Sequence, residues 1–214
     1  MRLHPGARRG LRALTDPGTT AGSIAPWIVV GNAGGGLALV PIAADGTAGE
    51  RLLIERSALA REAARTDAAT RWVWSDTSSW YPAVIAEGVR ASRCHDLRLA
   101  HAILRDSARS VDADALRAAT EWDAAASVAD DGPSALFDLD PGAREVPHDI
   151  DAALAEFARQ RAVIGASAAG LRLLVAAESV GALVAAEMHA AGVPWDGDVH
   201  DGILTGMLGQ REPG

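Results

Sequence analysis

Short apolar runs separated by polar and glycine-rich segments predict the strands in the first half of the chain. The runs Trp27 to Val30 and Leu37 to Ile42 flank the segment Gly31 to Gly36, a pattern typical of a β-hairpin with a glycine-rich turn. A third run, Leu52 to Ile54, is expected to pair with them. We expect two further strands, a buried one over residues 71–75 and a short one near Val89.

Apolar residues at helical spacing, preceded by capping side chains, predict helices through the rest of the chain. Ser57 is placed to cap a helix that runs to Arg65. Asp96 and Asp149 are placed to cap two later helices, the second ended by Gly165. Two more helices are expected over residues 78–87 and 112–125, and residues 127–147 are expected to form a loop or flap. Strands first and helices later indicate an α/β or α+β domain with a mixed sheet.

The last long apolar pattern predicts a helix over residues 171–191. Its apolar positions recur at helical spacing and give one face, made of Leu173, Ala177, Val180, Val184, Met188 and Ala191. Gly192 suits the left-handed position that ends a helix. By periodicity alone this is an ordinary core helix that precedes a short strand.

Composition limits the classes of function. The 214 residues are 49% hydrophobic, which fits one globular domain with a sizeable core. All 20 basic residues are arginine, which is typical of a GC-rich genome. The net charge of −8 argues against binding of nucleic acid by this chain alone, because phosphate contacts draw on basic side chains.

Cysteine usage and the ends of the chain bear on its compartment. The single cysteine, Cys94, excludes an internal disulfide and a cysteine-based zinc site, and it is typical of a reducing cytoplasm. We found no apolar run of membrane-spanning length and no signal peptide in the sequence. Residues 1–22, rich in Arg, Gly, Pro and Thr, are interpreted as a flexible tail. The predicted location is cytoplasmic.

Two segments resemble the 3′-5′ exonuclease domain of family A (polymerase I type) DNA polymerases, in the form that actinobacteria have. One is the helix that ends in Met188-His-Ala-Ala-Gly-Val-Pro-Trp-Asp196, which resembles the junction from this domain to the polymerase thumb. The other runs from Trp72 to Leu104 and resembles the middle of the domain, including its second exonuclease motif. The resemblance implies an α/β, ribonuclease H-like (DnaQ-like exonuclease) mixed sheet flanked by helices, with a C-terminal helix that leads into the thumb.

The same resemblance implies a division of the chain and a set of partners. Residues 1–22 are then the tail, 23–166 the exonuclease-like domain, and 167–214 the junction helix and the start of the thumb. The expected partner is a polymerase module of palm, fingers and thumb in the same polypeptide, with DNA reached through that module and no membrane involved. Such proteins act in DNA replication and repair.

The exonuclease motifs of the resemblance are incomplete in this sequence. The first motif supplies an Asp-x-Glu pair on the first strand, but residues 28–33 contain no acid. In the second motif Asp76 stands where the family has Asn, and Trp80 stands where it has a metal-binding Asp. In the third motif Asp149 matches the Asp, whereas Glu145 replaces the Tyr. A two-metal nuclease needs several converging carboxylates, so we expect a degenerate domain to which no catalytic residue, metal-binding residue or cofactor is assigned.

Two alternatives remain open. Four aspartates, Asp76, Asp96, Asp149 and Asp151, are the candidates for a rearranged site that binds Mg²⁺ or Mn²⁺ in an active nuclease. The competing interpretation makes Asp96 and Asp149 helix N-caps, puts Asp151 in a first helical turn and leaves Asp76 at a strand end. The second alternative is a non-enzymatic interaction module in which residues 171–191 bind a partner helix or a second copy.

Other candidate motifs point to structure. The segment Gly31 to Gly36 lacks the Gly-Lys-Ser/Thr ending of a phosphate-binding loop, and the chain has no lysine. Its six histidines show no zinc-binding spacing. The aromatic cluster around Trp72 to Tyr81 includes one basic residue, Arg71, so we interpret it as core.

Overall fold

The computed structural model describes residues 26–123, 145–192 and 196–209. They form an α/β structure with a five-stranded mixed sheet flanked by helices. The strands are β1 (Trp27–Ala33), β2 (Gly36–Ile42), β3 (Leu52–Ile54), β4 (Arg71–Trp74) and β5 (Cys94–Asp96), in the order β3-β2-β1-β4-β5. The α/β class with a mixed sheet, predicted from the sequence, is confirmed. The expected tail and most of the expected loop or flap lie outside the described residues.

Helices connect and follow these strands. They are α1 (Leu59–Arg65), α2 (Thr77–Ala86), α3 (Leu97–Asp106), α4 (Asp114–Arg117), α5 (Ile150–Ala166), α6 (Ala169–Ala191) and α7 (Gly197–Leu208). Two single 3₁₀ turns, Arg56–Ala58 and Thr120–Trp122, precede α1 and follow α4.

The predicted hairpin is confirmed. Strand β1 pairs antiparallel with β2, from Trp27 opposite Ile42 to Ala33 opposite Gly36, and β3 extends the sheet antiparallel to β2. The two-residue turn places Gly34 at φ +52° and Gly35 at φ +85°. Positive φ at both turn positions is the geometry of a type I′ turn, which glycine adopts without steric cost. The glycine-rich segment therefore forms the turn of the hairpin.

The other half of the sheet is parallel. Strand β4 pairs with β1 and β5 pairs with β4, both in parallel register. The prediction of a strand near Val89 is wrong. Gly88 takes φ +73° and Val89 donates its backbone N–H to Val84 O at 3.2 Å, so these residues end α2. The strand follows five residues later, at Cys94.

Three aspartates begin helices by side-chain capping. Asp76, Asp96 and Asp149 accept hydrogen bonds from the backbone N–H groups of Ser78, Leu99 and Ala152, at the starts of α2, α3 and α5. The capping roles predicted for Asp96 and Asp149 are confirmed.

Three sequence-based helix boundaries are wrong. Ser57 caps nothing, because it lies inside the 3₁₀ turn that leads into α1. The helix expected from Asp112 to Ala125 is broken: Asp112 has φ +54°, and only α4 and a 3₁₀ turn follow within the described part. Gly165 lies inside α5, which ends one residue later.

Buried side chains cover both faces of the sheet. One face carries Trp72, Trp74, Tyr81 and Leu183, with the rings of Trp72 and Trp74 stacked 6.5 Å apart. The opposite face carries Val29, Val73, Leu97, Trp122 and Phe157. A third cluster joins α3 to α5 and α6.

Helix α6 turns a different face to the core from the one predicted. Its buried residues are Leu171, Val175, Ser179 and Leu183, whereas the predicted stripe faces solvent, with Leu173 71% and Met188 56% exposed. The helix is apolar on nearly all sides, so periodicity could not orient it.

Polar contacts fix this orientation of α6. The Ser179 hydroxyl donates to Val175 O and accepts from the Asp96 backbone N–H, while Cys94 Sγ lies 3.1 Å from Ser179 O. Nearer the end of α6, Tyr81 donates its hydroxyl to Glu187 at 2.7 Å. By length and composition alone α6 is long and apolar enough to cross a membrane, contrary to the expectation that no apolar run reaches that length; core helices of soluble proteins share this property.

Candidate functional site

The carboxyl ends of β1 and β4 meet the start of α5 at one edge of the sheet. Asn32 donates its backbone N–H to His148 O at 2.7 Å and forms an isolated parallel bridge with Asp149. A Cβ atom on Gly31 would lie 2.6 Å from the Cα and N atoms of Ile150. Only glycine at this position lets α5 approach β1 so closely, and the approach brings His148 and Asp149 to the sheet edge.

The buried hydroxyl of Ser75 connects the end of β4 to the residues that precede α5. Ser75 Oγ, at the end of β4, lies 2.5 Å from His148 Nδ1 and accepts a hydrogen bond from Trp80 Nε1 at 2.8 Å. The Trp80 ring stands edge-on to the His148 ring, with 6.1 Å between centroids. Ser75 is 1% exposed, so it holds these groups in place and offers no accessible nucleophile.

A cation lies over the same edge. Arg56 donates to Asn32 Oδ1 at 2.5 Å, and its guanidinium carbon is 5.6 Å from the centroid of the Trp80 ring. This distance is within the range of a cation–π contact. The edge therefore carries a positive charge beside Trp80.

The four candidate aspartates lie at this end of the sheet in two pairs. Asp76 and Asp96 lie around the start of α2, where Asp96 accepts the Thr77 backbone N–H at 2.7 Å and Asp76 pairs with Arg98 at 3.2 Å. Burial raises the pKa of Asp96 above its usual value, with the Asp76 charge adding in the same direction.

The second pair lies at the start of α5. Asp149 caps the helix, and Asp151 pairs with Arg51 at 2.5 Å. The two pairs are connected through the bond between Ser75 and His148, which precede Asp76 and Asp149 in the chain. Each aspartate thus has a defined structural partner.

The described residues bring no metal-binding set together. Within ranges 26–123, 145–192 and 196–209, no three His, Cys, Asp or Glu side chains are grouped so as to hold a metal ion. The polar groups of the edge bond to one another, Arg56 to Asn32 and Ser75 to His148.

A separate buried cluster is centred on His101. His101 Nδ1 lies 2.9 Å from Glu156 Oε1, and its Nε2 lies 3.1 Å from Asp123 Oδ1. Both ring nitrogens of His101 therefore lie within hydrogen-bond distance of a carboxylate oxygen. Arg105 and Arg159 pair with the same carboxylates at 2.5 and 2.8 Å, so the cluster ties α3 to α5.

Sequence reasoning missed Arg56, Asn32, Ser75 and His148. The Ser75–His148 contact spans 73 residues and the Arg56–Asn32 contact spans 24. No spacing of residues in the local sequence indicates either contact. The one available signal was Gly31 inside an otherwise apolar strand, which is typical of a close backbone approach.

Comparisons with known proteins leave the chain unplaced: no protein family, no curated protein and no solved structure matches it.

Proposed function

We propose that this chain is a catalytically degenerate, ribonuclease H-like exonuclease domain of a family A DNA polymerase, with a structural role beside the polymerase module. The strand order carries the fold part of this proposal. Three antiparallel strands in a meander are followed by two parallel strands, in the order β3-β2-β1-β4-β5, and this order fits a ribonuclease H-like sheet. The start of α5 against the end of β1 fits the third exonuclease motif.

The sheet edge supports the loss of catalysis. Where the resemblance implies metal-binding carboxylates, the edge holds the Asn32 amide, the buried Trp80 indole and the Arg56 guanidinium. Amide and indole cannot replace two carboxylates, and a guanidinium repels divalent cations. In this proposal the chain braces the polymerase module in the cytoplasm and meets DNA through that module.

A nuclease assay tests the degenerate site. Purified chain is mixed with end-labelled single-stranded DNA in Mg²⁺ or Mn²⁺, at high enzyme concentration, beside Asp76→Asn and Asp149→Asn variants. Asparagine caps helices about as well as aspartate, so both variants keep α2 and α5 while removing a carboxylate. We expect no shortening above the variants. Metal-dependent shortening that either variant abolishes contradicts the proposal and supports the rearranged nuclease.

The family assignment has its own test. We expect the gene to encode polymerase palm carboxylates downstream of residue 214. In the longer polypeptide, deletion of residues 23–166 should lower the thermal midpoint of the polymerase module without changing the metal dependence of synthesis. Unrelated sequence downstream contradicts the assignment.

The exposed face of α6 favours a second candidate, a non-enzymatic interaction module. Leu173, Val180, Val184 and Met188 are between 46% and 71% exposed and share one side of the helix. An apolar stripe of this length marks an interaction surface. Light scattering of the full chain against Val184→Glu tests it: self-association that the substitution removes supports the module. Association alone does not exclude the first proposal, so the downstream gene sequence decides between the two.

A further inference from the structure

An open groove of about 960 Å³ runs along α6 and is bounded by α2 and the start of α3. Small residues form its α6 side, including Gly181, Ala182 and Ala185. Pro82, Ile85 and Leu99 form the opposite wall. Small side chains allow the close approach of a second helix, while the apolar wall gives it a surface to bury against.

Helix α7 lacks such a surface. None of its described residues is buried, and Ile203, Met207 and Leu208 are 56%, 77% and 81% exposed. The helix has 12 residues and carries Gly202 and Gly206 in its interior. Isolated helices this short are marginal in water, and interior glycine weakens them further. Packing against another surface would therefore stabilise α7, which buries none of its residues in the structure.

The dimensions of the groove and of α7 agree. A helix of 12 residues is about 18 Å long, and the groove side of α6 between Glu178 and Ala190 spans about the same distance. Val199, Ile203 and Met207 recur every four residues, so they share one face of α7.

The number of residues between the two helices suits a hairpin. Residues 192–196 join α6 to α7, and connections of about 2–5 residues are typical of antiparallel helix pairs. Gly192 takes φ +71° at the end of α6, which turns the chain there. In a hairpin the negative end of the α6 dipole lies beside the positive end of α7, which is favourable.

We propose that α7 folds back along α6 and docks its Val199–Ile203–Met207 face into this groove as an αα-hairpin of the same chain. A second copy offers the same helix, but a short linker gives an effective concentration on the order of 1 mM. Intramolecular docking is therefore favoured at micromolar protein. The proposal does not depend on the proposed function, because it uses only the groove and α7.

Cysteine trapping tests the hairpin. In the docked arrangement Ala185 lies opposite Ile203, so the variant Ala185→Cys/Ile203→Cys should form an internal disulfide on mild oxidation. The matched control is Val184→Cys/Ile203→Cys, which has nearly the same chain separation but starts about 100° around α6, on the solvent face. Cys94 stays in place because it is buried, and single-cysteine variants check that it does not react.

Three outcomes are informative. We expect the Ala185 pair to close within monomers at least about tenfold faster than the Val184 pair, because only the first meets the short Cα distance of a disulfide. Equal rates overturn the proposal. Faster closure of the Ala185 pair between chains, seen as a dimer on non-reducing gels, also overturns it and assigns the groove to a second copy.

Discussion

His95 makes the stability of this protein depend on pH in a way that one substitution can remove. The ring lies on β5, 4% exposed, edge-on to Phe157 at 5.3 Å. Gln160 donates its amide hydrogens to Leu97 O and Glu156 Oε1, so its oxygen accepts from His95 Nε2 at 2.7 Å. The neutral ring with its proton on Nε2 satisfies this contact.

Burial lowers the pKa of His95 from 6.5 to about 4. The unfolded chain therefore binds a proton near pH 6.5 that the folded chain does not bind until about pH 4. Stability is complete above pH 6.5 and falls as the pH drops towards 4. The shift corresponds to a loss of about 3 kcal/mol at pH 4, and of about 2 kcal/mol at pH 5.

Urea unfolding of the wild type and of His95→Gln, from pH 7 to pH 4.5, measures this loss. Glutamine does not titrate, and its amide can still donate to Gln160. Other acid-titrating groups are common to both proteins, so the difference between the curves isolates His95. We expect the free energy of unfolding of the wild type to fall more steeply, by about 2 kcal/mol at pH 5. Parallel curves would refute a buried neutral ring.

Three further predictions follow from packing and burial. Gly31→Ala should destabilise the protein by about 3 kcal/mol or more, because the added Cβ would lie 2.6 Å from the α5 backbone. Gly165→Ala should instead stabilise α5 by about 0.5–1 kcal/mol, because the space around Gly165 is open. Urea titration measures both changes in the free energy of unfolding. Burial raises the pKa of the Cys94 thiol to about 12, so native protein at pH 8 should not react with a disulfide reagent and urea-unfolded protein should. Burial, together with the hydrogen bond to Glu187, raises the pKa of Tyr81 to about 12. Ultraviolet titration of the native protein should therefore show no phenolate at pH 10.5. A phenolate signal at that pH contradicts the contact between Tyr81 and Glu187.

Local chemistry made much of the fold predictable. The hairpin was marked by two apolar runs around Gly34 and Gly35, and α3 and α5 begin at Asp96 and Asp149, the two aspartates predicted to cap them. Errors arose where local signals compete. Val89 has strand propensity, but Gly88 before it ends α2 and draws Val89 into the helix terminus.

The sheet edge was predictable only in part, because its contacts join distant parts of the chain. The absence of acids in residues 28–33 is visible in the sequence. That Arg56 lies over the Trp80 ring, or that Ser75 holds His148, depends on how closely α5 approaches β1. The distance between α5 and β1 is short because Gly31 has no Cβ atom. In the sequence, a glycine inside a strand indicates only a weak strand position.

Helix α6 shows why periodicity alone fails on a helix that is apolar on most sides. The stripe from Leu173 to Met188 has the larger side chains, yet the core takes the side with Ser179, whose hydroxyl satisfies the Asp96 backbone N–H. A larger apolar residue there would leave that buried N–H without its acceptor, which costs about 1–3 kcal/mol. The polar requirement of β5, together with the bond from Tyr81 to Glu187, therefore orients the 23 residues of α6 and leaves large apolar side chains for another surface to cover.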